Sequence, residues 1–352
     1  MSGTKNPFNK VLFKNCLRPS KIDLRMKRQS NIELCRIFSI LFVMILHSTF
    51  NAIAREAGEP SFIIYYISAL SIIGVDVFVL ITGYFSVIPK KTSLINLAFI
   101  CLFWMLIKII CRSNLDYEIN FTHYFFITSS NWFIPCYIGL LFMAPILNAF
   151  CDKASKKQLL GGVISLIIIQ VWFDLLPPYP NLRLGSHEGY SFFSFAVLYL
   201  LGRALRLYGI PKLIKKTNLL AYLLLSLPTA WFATETKQID NILFAYNSPL
   251  VIASAVCFFA FFVNLNFESR SINHIAKSIL AVLLGHTAIM RTFNDQFRYI
   301  FHQYSGLELV GLWIFSIVLV FFACIGLDQI RLLIYKPIRS YLKKNINKDE
   351  LF

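Results

Sequence analysis

Apolar residues in this chain fall in blocks of roughly twenty, parted by short polar turns, and lack the one-sided stripe of a helix lying on a soluble core. Ten blocks can be marked, at 32–50, 62–88, 93–111, 132–150, 158–174, 190–208, 218–234, 243–263, 274–290 and 307–327. Helices of such length match a hydrocarbon layer about 30 Å thick. The pattern therefore predicts an all-α integral membrane protein with about ten transmembrane helices. The second block is long enough to be kinked or broken, and the ninth is the weakest.

Charge tests the count. Of the 34 lysines and arginines, 26 fall in the segments that alternate to one side (1–31, 89–92, 151–157, 203–217, 264–277 and 328–352) and six fall on the other. Positive residues concentrate on the cytoplasmic side of membrane proteins, so both termini are expected there. The net charge of +16 is then mostly topology. It asks for no nucleic acid, only for anionic lipid headgroups at the inner leaflet. Composition agrees, with 57% hydrophobic and 15% charged residues.

Three regions follow: a basic N-terminal segment 1–31, a membrane domain 32–327 and a basic tail 328–352. No apolar core precedes residue 32, so a cleavable signal peptide is not expected, and Met26 is an alternative start. The eight cysteines form no CxxC and no pair in an outer loop, so neither disulfides nor a bound metal is expected.

Polar groups inside the blocks are costly in a bilayer and are read first as functional. RIFSILFVMILH carries Arg36 and His47, eleven residues and roughly 16 Å apart on one face of a helix. Glu33 precedes Arg36 by three positions, a spacing suited to an ion pair. The plainer reading is an arginine reaching for headgroups and a histidine satisfied by a neighbouring helix. GVDVFVLITGYFSVIPKK holds Asp76 in an apolar setting, with Lys90 and Lys91 at the inner face as ligands for phosphate or as topology markers. NWFIPCYIGLLFMAPILN opens on Asn131 and Trp132 and contains two prolines, and LLGHTAIM places His286 in the ninth block.

Together these stretches resemble acyltransferase family 3, bacterial membrane enzymes that acylate surface glycans. The resemblance runs over about 28–340 and is carried by the Arg36–His47 helix, GVDVFVLITGYF, the Trp-Phe/Pro-Leu-Asn block and the late histidine. It implies a membrane O-acyltransferase of the bacterial inner membrane that moves an acetyl group from cytoplasmic acetyl-CoA to a hydroxyl of an extracytoplasmic or lipid-linked glycan. No permanently bound cofactor is implied, and acyl-CoA is the donor substrate. His47 is the implied catalytic base or acyl carrier and Asp76 its orienting or proton partner. Arg36, Glu33, Lys90 and Lys91 are implied on the donor side, while Asn131, Trp132 and His286 serve the acceptor or the structure.

One departure stands out: many members carry an RxxR motif after the second span to engage the donor's phosphates, where this chain has Pro89, Lys90 and Lys91. A transporter or flippase of a glycan-related substrate is the rival reading, since broken spans and buried charge would serve a transport path too.

Overall fold

The computed structural model describes residues 28–56, 62–113, 131–176, 187–237 and 242–345. Met26, most of segment 1–31, and most of the aromatic loops 112–131 and 175–190 lie outside the described residues.

The described chain is helical. In order the α-helices are α1 (Ser30–Glu56), α2 (Phe62–Ser71), α3 (Gly74–Tyr84), α4 (Lys91–Ser113), α5 (Phe133–Lys153), α6 (Lys156–Gln170), α7 (Phe192–Tyr208), α8 (Lys212–Thr236), α9 (Pro249–Asn264), α10 (Arg270–Ile275), α11 (Ile279–Thr292), α12 (Asn294–Gln303) and α13 (Gly306–Asn345). Among the described residues, seven stretches are long and apolar enough to cross a membrane: Ser30–Ser48, Phe62–Tyr84, Lys91–Cys111, Phe133–Lys153, Lys156–Leu175, Arg270–Thr292 and Gly306–Leu342. The three other blocks marked in the sequence are the helices α7, α8 and α9. Of these, α9 is apolar but only 16 residues long, α7 carries Arg203 and Arg206, and α8 begins with three lysines in five residues.

Helix α1 is the hub, packing against α2, α3, α9, α10, α11, α12 and α13. The long second block does break, at Ile72–Ile73. Gly74 restarts the chain as α3, and a Cβ there would sit 2.5 Å from the Ser39 carbonyl oxygen of α1. Further along, Gly83 lies on the Tyr199 backbone and Gly202 on the Leu80 carbonyl, so α3 and α7 cross with almost nothing between their backbones. Small residues commonly allow such crossings between membrane helices.

Several hydroxyls within the helices are handled as hydrocarbon requires. Ser39, Ser68, Ser71, Thr82 and Ser226 each donate to the carbonyl four residues earlier, leaving no hydroxyl for lipid to solvate. Apolar stripes at helical spacing face outward, among them Leu102, Leu106 and Ile110 on α4 and Ile164 and Ile168 on α6. This is the surface of a protein whose solvent is lipid.

Helix α13 does not stop where the sequence places a tail. It continues to Asn345, and just past residue 327 Asp328 and Arg331 are both buried. The Arg331 Nε donates to Asp328 Oδ1 at 2.5 Å, and its Nη1 donates to Asn96 of α4 at 3.3 Å. An arginine that counts as a topology marker in the sequence thus bolts α13 to α4.

Candidate active site

The C-terminal half of α1 is fixed by Ser48. Its hydroxyl donates to the Ile45 carbonyl (2.7 Å) and accepts from Trp313 Nε1 of α13 (2.6 Å). The neighbouring His47 is thereby turned toward α11. There His47 Nδ1 meets His286 Nε2 at 2.7 Å, with the rings stacked 4.9 Å apart and 20° from parallel. Residue 285 is glycine because α11 presses onto the Trp104 ring of α4 at that point, with no room for a Cβ.

The protons in this pair can be placed by elimination. His286 Nδ1 lies 2.9 Å from the Val282 carbonyl oxygen, which can only accept, so Nδ1 carries the hydrogen. In a neutral ring its Nε2 is then the acceptor, and the hydrogen between the rings belongs to His47 Nδ1. His47 Nε2 is left with a lone pair. A proton taken up there would leave every one of these hydrogen bonds intact.

His47 also lines a small open pocket, together with Thr287, Met290, Arg291 and Asn294. The pocket brings an arginine and an amide to the histidine. Neither Arg291 nor Asn294 stands out in the sequence, since an arginine just past an apolar block reads as an interfacial charge.

Toward the N-terminal end of α1, Arg36 Nη1 donates to both carboxylate oxygens of Glu33 at 3.2 Å. Glu33 is buried, and Arg28 approaches it at 3.9 Å. The Arg36 guanidinium lies 5.8 Å from the centre of the Phe85 ring, just past α3. Lys90 and Lys91 are exposed where α4 starts, the Lys90 carbonyl accepting from the N–H groups of Ser93 and Leu94.

The remaining candidates stand elsewhere. Asp76 is fully buried in the first turn of α3, and neither of its carboxylate oxygens has a hydrogen-bond partner among the described residues. The position beside His47 Nδ1 belongs to His286. Trp132 joins an aromatic cluster with Tyr190 (4.6 Å between ring centres), Tyr246 (5.6 Å) and Phe195 (5.8 Å), and the Asn131 carbonyl opens α5 by accepting from Ile134.

Residues 29–328 match the family model described as an acyltransferase domain, that of acyltransferase family 3. No curated protein and no solved structure matches the chain.

Proposed function

The chain belongs to acyltransferase family 3 and is a multi-pass membrane acyltransferase, and from that premise we propose that it moves an acetyl group from cytoplasmic acetyl-CoA to a hydroxyl of an extracytoplasmic or lipid-linked glycan. The observation that carries the reading is His47, paired with His286 and opening on a pocket, at the opposite end of the Arg36–His47 segment from Lys90 and Lys91. The donor's nucleotide docks on the inner side, its arm passes Arg36, and the thioester carbonyl stops beside His47.

The chemistry balances at one atom. His47 Nε2 removes the acceptor hydroxyl's proton as the oxygen attacks the thioester carbonyl, and the tetrahedral oxyanion forms among Arg291 and Asn294. Collapse breaks the carbon–sulfur bond, the CoA thiolate leaves, and the proton on Nε2 passes to the sulfur. The same lone pair could instead attack the carbonyl first and carry the acetyl group as an acyl-imidazole. No bound cofactor takes part in either route.

Arg36→Ala tests the donor half. It should raise the KM for acetyl-CoA by about ten-fold or more, because a charge-assisted contact to phosphate is lost. The protein should still insert at normal level, as Arg28 remains beside Glu33. Unchanged donor affinity would return Arg36 to a structural role.

The topology belongs to the same proposal: ten spans in a bacterial inner membrane, with both termini cytoplasmic. In intact spheroplasts a membrane-impermeant maleimide should label Ser305→Cys and spare Lys157→Cys, both positions being exposed in the fold. Equal labelling of the two would break the ten-span arrangement.

A further inference from the structure

We propose that Met290 of α11 and Phe297 of α12 set the size of the transferred acyl group, forming a methyl-sized seat beside His47 that takes acetyl and refuses longer chains. The inference rests on the acyl-CoA reading above and names what in the chain selects among donors.

The pocket against His47 has a free volume of about 20 Å³. A single water needs about 10 to 15 Å³ of such space, so the pocket admits one methyl-sized group at a time. Neither a sugar ring nor the donor's arm fits, which leaves the end of the acyl group. The lining also divides by chemistry. Arg291 and Asn294 give a polar wall, where the oxyanion forms, while Met290 and Phe297 give an apolar one. A carbonyl held between His47 and the polar wall places its methyl against the thioether and the ring.

The backbone holds the apolar wall in place. Met290 follows His286 by four residues on α11, so the thioether shares a helix face with the ring that pairs with His47. Phe297 likewise stands four residues before Phe301 on α12, and Phe301 packs on Trp313 of α13 at 5.6 Å and 63°. Trp313 is fully buried and donates to Ser48, the residue after His47. Histidine and wall are thus tied to one anchor. Met290 and Phe297 are themselves buried. A longer chain would have to displace packed side chains, and overfilling a packed site is costly. Methionine yields more readily than a ring, so Phe297 is the firmer limit.

The test is a donor competition. Inside-out membrane vesicles from a strain carrying only this copy receive equal concentrations of acetyl-, propionyl- and butyryl-CoA, and the acyl groups on the envelope glycan are counted by mass spectrometry. Wild type should favour acetyl over propionyl by about ten-fold or more and over butyryl by about 100-fold or more, since one methylene in a close-fitting pocket is worth about 10- to 200-fold. Met290→Ala and Phe297→Leu should each cut the acetyl-to-butyryl ratio by about ten-fold or more and raise butyryl transfer in absolute terms. A gain of that kind cannot come from a damaged fold, and the ratio does not depend on how much protein inserts. Butyryl transferred as fast as acetyl by wild type would overturn the proposal and leave the acyl-CoA reading standing. Ratios unchanged in both variants would overturn it too, making the two side chains packing alone. If wild type took no acyl group from any of the three donors, the donor reading itself would fall, and this proposal with it.

Discussion

Replacing His47 by glutamine is expected to cost about 10² to 10⁴ in transfer rate, the range for a positioned general base. Glutamine is the informative choice. It has similar reach, remains polar and can hydrogen-bond to His286, so a histidine that merely fills a buried site would leave an active mutant. It cannot take a proton near neutrality. The measurement is acetylation of envelope glycan by mass spectrometry in a strain lacking its own copy, with membrane levels matched by immunoblot. Substantial acetylation by His47→Gln would remove His47 from the chemistry. The same preparation separates the two routes, because radiolabelled acetyl-CoA without acceptor marks the wild-type protein only if the imidazole carries the acyl group.

Much of the architecture follows from patterns one helix long. Arg36 and His47 are legible as a pair because both lie on one helix, where spacing converts directly into distance. The break between α2 and α3 is legible as well, since the block is long enough to be kinked or broken and holds a glycine where the chain restarts. What depends on which helices touch is not legible. His286 is 239 residues from its partner, and nothing in LLGHTAIM says that α11 rather than α3 supplies the group beside His47. By sequence Asp76 suits that place, because a buried carboxylate commonly orients a histidine, yet His286 holds the position beside His47 Nδ1. Arginines mislead in the opposite direction. Arg206 and Arg331 read as inner-face charges and nothing more, but one is laid on Tyr84 and the other is buried against Asp328. A charge count records sidedness, whereas contacts depend on the angle at which two helices cross.

His286 should act on the reaction only through His47, which gives it a distinctive mutational signature. With leucine at 286, the His47 Nδ1–H loses its acceptor, the ring can rotate, and the tautomer carrying hydrogen on Nε2 competes with the productive one. A loss of about 10² in rate is expected, in the manner of other residues that fix a catalytic imidazole. Glutamine at 286 should restore activity to within about ten-fold of wild type, since its carbonyl oxygen can accept the same hydrogen at similar reach. Leucine is close enough in volume to keep α11 packed on α4, so protein levels should not separate the variants. Nitrogen-15 spectra of histidine-labelled protein give a second readout, independent of turnover. His47 should carry its hydrogen on Nδ1 in the wild type and in His286→Gln, and divide between tautomers in His286→Leu. If leucine and glutamine variants were equally impaired, the hydrogen bond would not be what His286 contributes. If both kept full activity, the stacked pair would be packing alone, and His47 would have to find its orientation from Ser48 and Trp313.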